Sequence, residues 1–264
     1  MKKNLNNFFN SKFYSNLNLF LKKKIRKFFK IYFVKTTYDE LPSNNYLINF
    51  TEKFQSFIVE NFESNLYKSK NSCNYLKELI KSLDFKDFNF LDIGAGDINT
   101  FLELNHNSSI KYFYNDLPAK NEIIKEIKKK YKFNNLNIVD NIFDINFKLD
   151  FVFLGSSIGY HKDYNKIIDS LISKNTKYIL FSGTIFFEDK NLNNDYYILK
   201  QLNVLPDINY VYMFNKYNFE KKFLENNYKI SFIKDNDFKK INFNNLKYFC
   251  KKISYSDILF EKTN

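Results

Sequence analysis

The sequence predicts an α/β protein built on a doubly wound, mostly parallel sheet, with an N-terminal helical extension. Three observations predict it. From residue 88 onward, short apolar runs alternate with helical patterns, the rhythm of a parallel sheet covered by helices on both faces. The five glycines (Gly94, Gly96, Gly155, Gly159, Gly183) and the two alanines (Ala95, Ala119) all fall between residues 94 and 183. Those glycines follow three of the apolar runs. Ligands of such sheets sit at the carboxyl ends of the strands, near the point where strand order reverses.

Each element has its own signal. Residues 1–16 are rich in Asn, Phe and Lys and read as poorly ordered. Residues 17–34 read as a basic amphipathic helix, with Leu17, Leu21, Ile25, Phe28 and Tyr32 on one face and Lys22, Lys23, Arg26, Lys27 and Lys30 around the others. Thr36–Asn45, with Pro42, reads as a linker, and helical patterns follow near 47–62 and 72–83. The expected division is therefore a basic arm over 1–45 and an α/β domain over 46–264. Within the domain, strands are expected at Asn89–Ile93, Lys111–Asn115, Leu136–Val139, Phe151–Leu154 and Tyr178–Ser182. Helices are expected at Lys120–Tyr131, Tyr164–Ser173 and Phe219–Asn227, and Lys229–Ile233 and Asp257–Glu261 close the chain as strands.

Composition bounds the function. Of 41 basic residues only Arg26 is arginine, amid an excess of Lys, Asn, Ile, Phe and Tyr, so the skew is that of AT-rich codon usage. Small residues are scarce, and where they occur is correspondingly informative. Residues 1–38 hold nine lysines, Arg26 and no acid, whereas the other 31 basic and 29 acidic residues leave only +2. The basicity belongs to the arm, which suits an anionic membrane face. Nucleic-acid recognition favours arginine, which argues against an RNA partner; a helix simply packed on the domain with solvated lysines is the third reading. Cys73 and Cys250 share no metal-ligand spacing with His106 and His161, so no metal is expected. No apolar run approaches the ~18 residues of a membrane span, and the lysine-rich start lacks a signal peptide's apolar stretch. The expected location is cytoplasmic, with a peripheral position on the inner membrane face open. The oligomeric state is not legible.

The segment Phe90–Asp97, FLDIGAGD, carries the chemistry. An apolar strand runs into Asp92 and then Gly94-Ala95-Gly96, a turn on which side chains would collide with a closely bound ligand. A nicotinamide-dinucleotide site is one reading, with the fingerprint G-x-G-x-x-G/A and a phosphate on the next helix N-terminus. Here the last position is Asn99, and Asp92 would place negative charge near a pyrophosphate.

The segment resembles motif I of class I S-adenosylmethionine (SAM)-dependent methyltransferases, an acidic residue followed by G-x-G; Ile98 stands where many members have a third glycine. The resemblance implies a doubly wound Rossmann-like methyltransferase sheet, mostly parallel, with a C-terminal antiparallel strand. It also implies that the backbone of Gly94, Ala95 and Gly96 passes under the methionine part of SAM, with Asp92 holding the cofactor's charged amino-acid end. Asp116 and Leu117 follow the second strand in the run Asn115–Pro118. An acid about 20 residues beyond the glycine turn is placed to accept ribose hydroxyls, and a turn aspartate before proline is the plainer alternative. Asp140 and Asn141 fall where such enzymes place a side chain against adenine, with Asp144 competing. Gly155 and Ser156 open the segment Gly155–His161, which would line the pocket between SAM and acceptor. His161 is the candidate general base, since an imidazole titrates near neutral pH; a surface histidine at a helix start is the alternative. The runs YNDLP, FLGSSIGY, SGTIFF and Phe214–Tyr228 are together similar to a methyltransferase family of bacterial surface-polysaccharide gene clusters. That resemblance, over roughly 36–262, implies a small or glycan acceptor such as a precursor hydroxyl. An RNA methyltransferase, an NAD-dependent oxidoreductase and a non-catalytic SAM-binding scaffold are the competing functions.

Overall fold

The computed structural model describes residues 2–36, 41, 47, 74–83, 87–104, 109–190, 194–203, 209–236, 243–250 and 252–263. His106, Cys73 and most of the expected linker and first domain helix lie outside the described residues. In chain order the helices are α1 (Lys2–Phe9), α2 (Lys12–Asn16), α3 (Leu19–Phe29), α4 (Asn74–Ser82), α5 (Asn99–Leu104), α6 (Pro118–Tyr131), α7 (Tyr164–Ser173) and α8 (Lys216–Leu224). The strands are β1 (Phe33–Lys35), β2 (Phe88–Ile93), β3 (Ile110–Asn115), β4 (Leu136–Ile138), β5 (Phe151–Gly155), β6 (Tyr178–Glu188), β7 (Tyr196–Gln201), β8 (Asn209–Asn215), β9 (Tyr228–Asn236) and β10 (Lys252–Lys262). The observed class is the expected one: α/β, mostly parallel, with antiparallel pairing added. The chain divides into two compact units, 1–49 with 159–164 and 183–258, and 50–158 with 165–182 and 259–264.

The second of these units holds the parallel sheet. From β2 the chain steps outward to β3 and then β4, each pair parallel. It then returns to the other side of β2 for β5, and onward to the first half of β6, again in parallel. Strand order thus reverses between β2 and β5, the switch point where doubly wound sheets bind ligands. Parallel strands covered on both faces must be apolar throughout, and β2 and β5 are buried along nearly their whole length. Tyr112, Phe90, Phe151 and Tyr178 lie in register on four adjacent strands. Their rings stack across the sheet at 5.1, 5.4 and 6.1 Å between centroids. Helix α6 opens with Pro118 at its first turn, where a missing N–H is harmless, and buries Ile124 and Ile127.

In the other unit β1 pairs antiparallel with β7, and β7 with β8, while β8 runs parallel to the second half of β6 at Phe186↔Phe214. β9 pairs with β10. β6 runs beyond its expected end at Ser182, passing through Gly183 at φ 61. The Gly183 N–H donates to Asp257 Oδ1 at 2.7 Å.

The arm differs from expectation in two ways. Where residues 1–16 are expected to be poorly ordered, Lys2–Phe9 and Lys12–Asn16 form α1 and α2, because Phe9 and Tyr14 bury themselves with Ile31, Val34 and Leu202. Asn6 also pairs its amide with the backbone of Lys35, accepting from its N–H at 2.7 Å and donating to its carbonyl at 3.1 Å, which covers the edge of β1. The expected helix 17–34 stops at Phe29, where Lys30 turns left-handed at φ 52 and its N–H caps Arg26 and Lys27. Tyr32 therefore leaves the helix. Among the described residues no helix is long and apolar enough to cross a membrane.

Candidate functional site

The site forms where β2 ends. Gly94 and Gly96 take φ 66 and 71, angles that a side chain resists and glycine adopts freely. The turn is fastened from β3. The amides of Gly94 and Ala95 both donate to the Asn115 carbonyl, at 2.8 and 3.2 Å. The Tyr114 hydroxyl donates to the Gly96 carbonyl at 2.9 Å, and the Gly96 amide donates to Asp116 Oδ2 at 2.6 Å. A methyl group built on Gly96 would meet nothing within 4 Å, so this face of the turn is open.

Asp92 lies beneath the turn, 1% exposed. Its Oδ2 accepts from the Tyr112 hydroxyl at 2.5 Å; Oδ1 is buried without a hydrogen bond of good geometry, and the Thr100 hydroxyl lies near enough to the carboxyl to stabilise its charge. Burial pushes its carboxyl up to about 7; the Tyr112 and Thr100 hydroxyls pull it down, and the nearby Asp116 and Asp97 carboxylates add to the rise. Burial also drives the Tyr112 hydroxyl well above its ordinary value, so it remains a donor.

Asp116 is fully engaged. Besides the Gly96 amide, Oδ2 takes the Lys120 ammonium at 3.1 Å, and Oδ1 accepts from the Leu117 amide at 2.7 Å. Lys120 and Asp116 are both buried. Leu117 is buried and stands at the N-cap of α6 with no side-chain cap bond. Asn121, one residue beyond Lys120, accepts from the Asp116 amide at 3.0 Å and donates to Asp140 Oδ1 at 3.1 Å. It thereby ties the ends of β3 and β4 together. Asp140 is exposed and bonded to Lys125 at 2.9 Å, which holds its carboxyl below the usual value. Asn141 caps the short 3-10 turn Ile142–Asp144 by accepting from the Phe143 amide.

The other lip comes from β5. Ser156 adopts φ 55 and donates its amide to the Ser182 carbonyl at 2.7 Å. Buried Ser157 donates its hydroxyl to the Ile93 carbonyl at 2.6 Å, stitching the end of β5 to the end of β2 at the switch point. Gly155 is crowded: a Cβ there would lie 2.9 Å from the Phe153 ring.

Asp92, Gly94, Ala95, Gly96, Asp116, Leu117, Asp140, Asn141, Gly155 and Ser156 thus all lie in one unit, at or just beyond the carboxyl ends of β2 to β5. His161 lies in the other unit, half-buried after the turn Ile158–Tyr160, where its carbonyl accepts from the Tyr164 amide. Sequence reasoning missed Tyr112, Tyr114, Lys120 and Asn121, and it placed Ser157 only within the pocket-lining segment Gly155–His161 without a role of its own. The alternation of Tyr112, Tyr114 and Asp116 along one strand face was the available signal for the first two. Among the described residues no group of three or more Cys, His, Asp or Glu is placed to hold a metal ion.

No protein-family model and no curated protein matches the chain. Solved structures do. The chain is similar to an S-adenosylmethionine-dependent methyltransferase from Clostridium acetobutylicum, with a TM-score of 0.50 and 14% identity over 81% of this chain and 100% of that one. It is also similar to the [4+2]-cyclase SpnF, with a TM-score of 0.52 and 7% identity over 80% of this chain and 95% of that one. At such identities the likeness is one of fold.

Proposed function

We propose that this chain is a SAM-dependent methyltransferase, and that SAM lies across the Gly94–Gly96 turn. The observation that carries the reading is the open, positive-φ turn with the Asp116 carboxylate at its amide and Asp92 buried beneath it. The residues fit the group. Asp92 offers a buried carboxylate whose Oδ1 makes no hydrogen bond of good geometry, suited to a cationic amino-acid end. Asp116 would accept the ribose hydroxyls by releasing the Gly96 amide or Lys120, and Leu117, Asp140 and Asn141 would border the adenine. Gly155 and Ser156 would line the way to the acceptor.

SAM, when bound, supplies an electrophilic methyl group on a sulfonium. The chain's own task is then to position an acceptor and remove its proton. His161 is the residue proposed for that proton. With a lipid- or nucleotide-linked sugar as hydroxyl acceptor, His161→Ala should lower turnover about a hundredfold; a loss under about tenfold excludes it as the base.

The acceptor we propose is a hydroxyl of a surface-polysaccharide precursor, on the similarity of the YNDLP, FLGSSIGY and SGTIFF runs. An enzyme acting on lipid-linked glycan works at a membrane face, and the acid-free stretch 1–38 of the arm has the chemistry for one. A second reading, a cofactor-binding protein with other chemistry, is favoured by the fold shared with a protein described as a [4+2]-cyclase.

Calorimetric titration with SAM, S-adenosylhomocysteine and NAD tests the proposal. Saturable binding of the first two and not of NAD supports it. Binding of NAD alone, or of none, overturns it. Release of S-adenosylhomocysteine on incubation with glycan precursors separates methyl transfer from the second reading.

A further inference from the structure

Helix α3 carries apolar residues in two adjoining rows, and among the described residues only one row packs against the rest of its unit. Ile25 packs against the cluster of Phe9, Tyr14, Ile31, Val34 and Leu202, and Phe29, one turn on, meets the Phe9 ring at 6.4 Å. That seam holds the helix to its unit. In the adjoining row, each residue one position earlier and so about 100° around the helix, Phe20, Lys24 and Phe28 follow one another at intervals of four; the Phe28 ring meets the Phe29 ring edge-on at 5.1 Å, and Leu21, one turn before Ile25, lies between the two rows. Phe20 is 63% exposed, Phe28 81% and Leu21 40%. No residue of α3 is buried. The Lys24 ammonium sits 4.4 Å from the Phe20 ring centroid, so the apolar face carries its own cation, and Lys23 and Lys27 flank it. Nothing acidic occurs before Asp39. An apolar strip set among cations with no acid has the layout of an interfacial helix: rings enter the acyl boundary and ammoniums meet the headgroups. A protein partner large enough to cover two phenylalanines would also have to neutralise an acid-free helix, whereas an anionic bilayer satisfies both demands.

We infer that the outward face of α3, centred on Phe20, Lys24 and Phe28, seats the chain on an anionic lipid surface. The inference stands apart from the methyltransferase reading, because vesicle binding and cofactor binding are measured separately.

The test is co-sedimentation of the full chain with phosphatidylcholine vesicles with and without phosphatidylglycerol, for the native chain and the F20S/F28S variant. Both residues are exposed, so the variant should unfold at the native temperature, and SAM titration of both proteins reports the other site independently. The expected result is binding to the anionic vesicles only, weakened about tenfold or more by F20S/F28S. Unchanged binding of the variant would show simple charge attraction and overturn the inference. So would absence of vesicle binding, whether the chain binds single-stranded RNA instead or F20S/F28S converts a dimer to a monomer.

Discussion

The Asp116 carboxylate and the Gly96 amide meet at 2.6 Å, locking the strand-end acid to the glycine turn 20 residues earlier. The same oxygen holds Lys120 in a buried pair. Removing Asp116 therefore has two separable effects. Asp116→Ala strands a buried ammonium, and breaking such a pair is destabilising by about 3–5 kcal/mol. It also removes the proposed ribose acceptor. Adding Lys120→Met should restore most of the stability in chemical denaturation while SAM affinity stays at least roughly tenfold down. Native affinity in Asp116→Ala would refute the ribose role.

Asp92 yields a prediction with a definite pH sign. Its carboxyl is raised to about 7, first by burial, so the folded chain binds this proton more tightly than the unfolded one. Its ionisation opposes folding: stability falls as pH rises from the unfolded value near 4 through about 7, then levels off. Asp92→Asn keeps an acceptor for Tyr112 and has no charge to bury. It should match the native protein at about pH 4 and exceed it by a few kcal/mol above neutrality, measured by denaturation at several pH values. SAM affinity of the native chain should rise between about pH 6 and 8 as the carboxylate forms, and the variant should lose both the affinity and its slope.

How much of this was legible in the sequence depended on the kind of contact. Asp92, Gly94, Gly96 and Asp116 could be read because small residues are scarce and the spacing is local to a strand–turn–helix unit. The roles of Ser157 and Lys120 could not. Ser157 acts on the carbonyl of a residue 64 positions away, and Lys120 looks like any other lysine of a lysine-rich helix until the fold buries it. Strands β7 and β8 were missed because their signal is a run of aromatic and aliphatic residues, YYILKQ and NYVYMFN. In a chain that is 20% aromatic such runs do not stand out. The arm was misjudged for the opposite reason: its helical face pattern was real, but tertiary contacts from Phe9 and Tyr14 chose which part of it to bury.

Gly96 and Gly159 should respond differently to the same substitution. Gly96→Ala meets no atom within 4 Å but must hold φ 71, a strain of about 1–2 kcal/mol, and its methyl would project into the space proposed for SAM. Gly159→Ala would push a methyl to 2.8 Å from Val211 and 3.1 Å from the Tyr212 carbonyl, an overpacking of about 1–3 kcal/mol. The first variant is expected to fold and lose SAM binding in calorimetry. The second is expected to unfold several degrees earlier, and equal loss of binding in both would remove the distinction.

Ser157 offers a last test, because its hydroxyl joins the two lips of the switch point. The bond to the Ile93 carbonyl is buried and long in sequence, so Ser157→Ala leaves that acceptor short of a partner in a site water reaches poorly, at about 1–3 kcal/mol. Ser173→Ala removes a bond of similar length, 2.9 Å to the Ser170 carbonyl, that is exposed and local, and water replaces it at little cost. Thermal unfolding of the pair should show a clear drop for Ser157→Ala and almost none for Ser173→Ala. If SAM lies across the glycine turn, Ser157→Ala should also weaken its binding several-fold, since Ile93 directly precedes Gly94. A stability loss with unchanged affinity would confine Ser157 to holding the sheet and place the ligand away from this seam.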